Sequence, residues 1–153
     1  MFKKLGLPLF FVVVFIGNAQ DMDERDSIKE TIIKRNHAFM DLYNSGNAAG
    51  IASEIFSSQA EIYPPNSPKV HGDTEMLTGF WQAVMDMGIA KAVIQTKSAT
   101  LHGDVIIDTG DVSLYAADGN QIDEAKYIVI WAKENTIWKI TKDIWNSKNT
   151  LEN

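Results

Sequence analysis

Residues 126–147, "KYIVIWAKENTIWKITKDIWNS", hold two runs of alternating side chains separated by "ENT" (134–136), the pattern of a β-hairpin closed by a short turn. With Glu134 and Asn135 at the turn, Lys126 stands opposite Asp143; with Asn135 and Thr136 there, Lys126 faces Trp145 and Asp143 lies diagonal to it. Both registers predict one face with Lys126, Ile128, Ile130, Thr141, Asp143 and Trp145, because a slip of two residues preserves side-chain parity. Tyr127, Val129, Trp131, Trp138 and Ile140 take the other face. Neither face is fully polar, so both need cover, one from helices and the other from a partner or from a sheet that curls around a cavity. The plain reading of Lys126 and Asp143 is a cross-strand ion pair. The sharper reading is a pocket floor, with Trp145 as apolar wall and the two charges for orientation.

Working back from this hairpin, the period of two persists to residue 91 and predicts strands near 91–101, 104–116, 121–133 and 136–146. "HGD" (102–104) and "ADGN" (117–120) supply the other turns. Before residue 91 the period is helical. Met76, Leu77, Phe80, Trp81, Val84 and Met85 predict an amphipathic helix capped by Asp73 or Thr74 and stopped at Gly88. "AEIYPPNSPKVHG" (60–72) reads as a strand running into a proline-broken loop. A first helix over 27–43 carries Ile28, Ile32, Phe39, Leu42 and Tyr43, with Ser27 and Glu30 as a capping box and Gly46 beyond its end. Asn47 then caps a short second helix through Phe56, which buries Ile51, Ile55 and Phe56. The order α-α-β-α-β-β-β-β predicts an α+β domain with its helices on one side of a mainly antiparallel sheet.

Residues 1–19 read as a secretory leader. Lys3 and Lys4 precede an apolar run from Leu5 to Ile16, and Gly17 and Ala19 have the spacing of a cleavage site. The run is shorter than the roughly 20 residues of a spanning helix, so the expectation is a periplasmic or secreted protein with no membrane partner after cleavage. About 130 residues would remain, enough for one domain over 20–153 with a single core. There is no cysteine, hence no disulfide. Loss of Lys3 and Lys4 takes the formal charge from −6 to −8, a balance that repels phosphate backbones and argues against nucleic-acid binding.

Chemistry-bearing motifs are few. His37, His71 and His102 show no ligand spacing, so no metal is expected, and no glycine-rich phosphate loop, nucleophile elbow or thiol points to an organic cofactor or covalent catalysis. Tyr63 and Trp81 combine an apolar body with a polar handle, which suits a pocket mouth and equally a core. Asn66, between prolines, either meets a ligand or bonds its own turn.

Taken together, "LYNSGN", "AEIYPPNSPKVHG", "FWQAVMDMG", "GDVIIDTGDVSLY" and the closing hairpin resemble the SnoaL-like, ketosteroid-isomerase-like branch of the nuclear transport factor 2-like superfamily, especially small secreted members grouped as a domain of unknown function. The resemblance spans nearly all of the chain after residue 19. It implies a cone-shaped α+β barrel, three helices packed in a strongly curved sheet open at one end into an apolar cavity, and a homodimer formed through the outer sheet face. It specifies activity poorly, since the superfamily holds isomerases, cyclases, hydratases and proteins that only bind. The places of the catalytic tyrosine and two acids of ketosteroid isomerases hold Phe39, Pro64 and Ile128 here, so that constellation is absent. The resemblance does put Thr141 and Trp145 on the pocket side of the last strand. The expectation is therefore a pocket for a small apolar or amphipathic ligand, drawn from Tyr63, Asn66, Trp81, Lys126, Ile128, Thr141 and Trp145. Asp143 is the candidate general base of a cofactor-independent isomerase, cyclase or hydratase; a dimerisation module without ligand is the remaining alternative.

Overall fold

The computed structural model describes residues 17–149, and side chains from residue 24 onward. The leader expected over 1–19 therefore lies almost wholly outside the described residues. The chain runs through α1 (Gly17–Asn44), α2 (Ala48–Gly50), a π-helical turn (Ile51–Ile55), β1 (Phe56–Tyr63), β2 (Val70–His71), α3 (Thr74–Asp86), β3 (Lys91–His102), β4 (Val105–Tyr115), β5 (Gln121–Glu134) and β6 (Ile137–Ser147). One mixed sheet has the order β2-β1-β6-β5-β4-β3, antiparallel throughout except where β1 runs parallel to β6. The expected α+β class and element order hold, with the two-residue strand β2 added.

Local chemistry sets the ends of these elements. Asp73 caps α3, its carboxylate accepting from the N–H groups of Glu75 and Met76, both at 3.1 Å. Asn47 caps α2 by accepting from Gly50 N–H at 2.8 Å. The capping box at Ser27 does not form, because α1 continues upstream through good helix formers such as Glu24 and Arg25. Ser27 sits inside the helix, its carbonyl accepting from the Thr31 hydroxyl at 2.8 Å.

Helices cover one face of the sheet. Ile32, Phe39 and Tyr43 from α1, Leu77 and Trp81 from α3, and Ile51 and Ile55 between them pack against Ile62, Ile106, Val129, Trp131 and Ile140. Trp81 is the hub, with its ring centroid 5.2 Å from Phe39, 5.1 Å from Phe80 and 5.6 Å from Phe56. Bulges bend the long strands, in β3 between Thr96 and Ser98 and at the β5–β6 step beside Trp131.

The second bulge decides the site. Glu134↔Ile137 through Trp131↔Ile140 follow the register expected for an Asn135–Thr136 turn. Thr141 is then the extra residue, its hydroxyl donating to the Ile130 carbonyl at 3.1 Å, and the ladder resumes with Ile130↔Lys142 and Val129↔Asp143. One inserted residue reverses parity along the rest of β6. Asp143 and Trp145 therefore join Tyr127, Val129 and Trp131 on the helix side, while Lys126 and Ile128 face outward. Neither expected partner for Lys126 is correct, since it lies opposite Asn146.

Candidate functional site

Between α1, α3 and the concave side of the sheet lies a cavity of about 690 Å³. Phe39, Phe80, Trp81, Val129, Ile140 and Trp145 make most of its wall apolar, and Pro64, Pro65, Pro68 and Met87 lie toward its rim. Trp145 stacks on Trp81 at 6.4 Å between centroids, tilted by 22°, so α3 and the end of β6 close one side together.

At the floor, one row of the sheet holds two acids. Asp108 on β4 faces Val129 on β5, which faces Asp143 on β6. Their surroundings differ. Asp108 is fully buried and accepts from Asn36 Nδ2 at 2.9 Å, the Tyr127 hydroxyl at 3.1 Å and Trp131 Nε1 at 3.3 Å. Burial pushes its carboxyl upward, and those three donors pull it back toward the charged form. Asp143 is 8% exposed, and among the described residues no donor or cation holds its carboxylate. Burial, and then the charge of Asp108, push it from 3.8 up to about 7.

Asn36 also donates to Thr96 Oγ1 at 2.9 Å, which ties α1 to β3 through the same cluster. Gly110 makes room for it: a Cβ there would lie 2.6 Å from the Tyr127 hydroxyl and 2.2 Å from the Gln95 carbonyl oxygen. Tyr127, buried beside the charge of Asp108, is raised well above the usual phenol range.

The sequence-expected residues divide into two groups. Asp143, Trp81 and Trp145 come together at the cavity. Lys126 is exposed on the outer face and Ile128, 50% exposed, lies on the same face, both separated from Asp143 and Trp145 by the parity change at Thr141. Thr141 spends its hydroxyl on the bulge. Tyr63 pairs beside Ile144 and donates to Glu61 Oε2 at 2.8 Å, in an outer cluster where Lys69 and Lys142 also meet Glu61. Lys142 first, then Lys69 and Tyr63, hold the Glu61 carboxyl down at about 2. Asn66 is an exposed turn residue with φ 52°, while its neighbours Pro65 and Ser67 reach the rim. Asp108, Asn36 and Tyr127 are the site residues the sequence reading passed over. Their signal is a polar break in an apolar stripe: Asn36 between Ile32 and Phe39 on α1, and Asp108 two residues after Ile106 on β4. Among the described residues no group of His, Cys, Asp and Glu is arranged to hold a metal ion.

No protein-family model matches the chain, and no curated protein matches it. Solved structures do. A domain of unknown function with a cystatin-like fold from Nostoc punctiforme superposes with a TM-score of 0.69 at 14% identity, over 82% of this chain and 80% of that one. A nuclear transport factor 2-like superfamily protein from Salmonella enterica gives a TM-score of 0.65 at 14% identity, covering 83% and 95%. Aln2 from a Streptomyces species gives 0.68 at 10% identity, covering 79% and 91%. At such identities the likeness is one of fold. The chain thus adopts the nuclear transport factor 2-like, cystatin-like fold, an α+β cone with its cavity on the helix side of the sheet.

Proposed function

We propose that this chain is a small-molecule-binding domain whose ligand occupies the apolar cavity against Asp143. The observation that carries the reading is an aromatic-walled volume of about 690 Å³ with an unpartnered buried carboxylate at its floor. That volume lies inside the roughly 300–1,000 Å³ range of ligand sites, and a core filled by its own side chains leaves no such space. Export and pairing of two copies belong to the same proposal; the adjacent exposed pair Ile128 and Ile144 on the outer face supports the pairing. The test is a titration with the neutral fluorophore N-phenyl-1-naphthylamine, followed by native mass spectrometry of protein purified from its own host. Saturable binding of one dye per chain, weakened in Trp145→Ala, is the expected result. Dye that binds without saturation, or equally well to the variant, would overturn the reading.

A second reading, proton transfer at carbon with Asp143 as general base, is favoured by one observation. The carboxylate has no cationic partner among the described residues, and its proton affinity lies near neutrality, as a base at physiological pH requires. Asp143→Asn tests this second reading once a turned-over substrate is found: the variant should still take up the neutral dye, which reports a folded protein with an open cavity, and should lose the rate.

A further inference from the structure

At the floor of the cavity the polar group left open to a ligand is an acid. Asp143 presents a carboxylate that accepts nothing from the described residues. The donors around it are committed: Asn36 and Tyr127 to Asp108 and Thr96, and the Tyr43 hydroxyl to the Ile89 carbonyl at 3.0 Å. The indole N–H of Trp81 has no partner, but that atom is fully buried. At the rim, Lys69 shares the Glu61 carboxylate with Lys142, and Asp123 adds a carboxylate that already accepts from Ser147 Oγ at 2.7 Å and Asn149 Nδ2 at 2.8 Å. Behind Val129 lies a third, Asp108.

A carboxylate out of water is compensated by a proton or by a cation. A ligand carbonyl or carboxylate laid on this floor sets acceptor against acceptor. An ammonium group meets two free oxygens and a negative field, and the ring of Trp145, the next inward residue along β6, offers a π-face close by.

We propose that the cavity takes an amphipathic organic cation, a protonated amine on an aromatic or aliphatic body, with the ammonium on Asp143 and the body against Phe80, Trp81 and Trp145. The inference rests on the reading of the cavity as a ligand site and names the ligand class. Burial, and then the charge of Asp108, displace the Asp143 carboxyl upward, and an ammonium beside it would act in the opposite direction.

Three probes of one shape test it: 1-naphthylmethylamine, 1-naphthylmethanol and 1-naphthylacetate, titrated by calorimetry just above neutral pH into the wild type and Asp143→Asn. The ammonium should bind about tenfold or more tighter than the alcohol, the advantage of a charge-assisted hydrogen bond, and the acetate weakest of all. Asp143→Asn should erase that preference while keeping the alcohol's affinity, which also reports that the variant is folded. An alcohol or acetate that matches the amine on the wild type, or a preference that survives the substitution, overturns the ligand class and leaves the binding reading standing. Failure of all three probes to bind overturns both.

Discussion

Asp108 and Asp143 occupy the same row of the sheet with Val129 between them, one carboxylate saturated by three donors and the other bare. This asymmetry gives each acid a different task. Asp108 ties α1 and β5 to its own strand β4, while the Asp143 carboxylate, without a donor among the described residues, lines the cavity.

The bare acid has a measurable consequence for stability. In the unfolded chain Asp143 titrates near 3.8; in the fold, burial and then Asp108 raise it to about 7. The folded state therefore holds this proton more tightly, so the group's contribution is most favourable below about pH 4 and is lost as pH rises toward 7. With roughly 1.4 kcal/mol for each pH unit between the two values, the loss is on the order of 4 kcal/mol. Asp143→Asn should accordingly melt well above the wild type at pH 8, and the difference should vanish near pH 4. Lys126→Ala should leave the Asp143 titration in place, since Lys126 lies on the other face. Parallel melting curves for wild type and Asp143→Asn across that range would show that the carboxylate is compensated.

The saturated acid behaves differently. Asp108→Ala strands Asn36, Tyr127 and Trp131 without their common acceptor, a change expected to cost on the order of 3–5 kcal/mol. Asp108→Asn keeps the shape and removes the charge. In that variant the Asp143 carboxyl, followed by carbon-13 chemical shift against pH, should titrate lower than in the wild type because the second cause of its elevation is gone. An unmoved titration would show that burial acts alone.

Most of the architecture is legible in the sequence for one reason: strand periodicity and turn residues are local signals. The long strands end close to their expected limits, and Tyr127, Val129, Trp131, Trp138 and Ile140 do share a face. The bulge is not legible, because Thr141 reads as one more step in an unbroken alternation, whereas in the fold the ladder skips it and its hydroxyl bonds to the Ile130 carbonyl. That single residue carries Asp143 and Trp145 across the sheet and separates them from Lys126 and Ile128. The parallel pairing of β1 with β6 is likewise set by tertiary packing, with no local signal for it. Asp108 and Asn36 were readable as polar interruptions of apolar stripes, but a polar residue at a core position does not reveal its partners.

Gly110 is required by the polar cluster. An alanine methyl would overlap the Gln95 carbonyl on one side and the Tyr127 hydroxyl on the other. Backbone cannot retreat within a paired sheet, so the tyrosine must. Gly110→Ala should destabilise by at least the roughly 1–3 kcal/mol of an overpacked core and should break the hydroxyl's bond to Asp108. Denaturant unfolding reports the first effect. The second follows from adding Tyr127→Phe, whose cost in the Gly110→Ala background should be much smaller than in the wild type. Additive costs would mean that the ring stays where it is.

The β5–β6 turn stores strain that a single substitution should release. Asn135 and Thr136 both have positive φ, 50° and 72°, which defines a primed two-residue turn whose twist matches that of the flanking strands. Asparagine tolerates this region; a β-branched threonine is a poor fit, and such conformations cost on the order of 1–3 kcal/mol. Glycine at the second position relieves that strain but adds roughly 0.5–1 kcal/mol of unfolded-chain entropy, leaving a net gain of about 1 kcal/mol. Thr136→Gly should therefore raise the melting temperature by roughly 3–5 °C, the size expected for a domain of this length. The denaturant slope should not change, because the register that places Asp143 is fixed by the bulge at Thr141, five residues further along β6. A loss of stability in Thr136→Gly would place the turn in some other conformation, and with it the pairing from Glu134↔Ile137 onward.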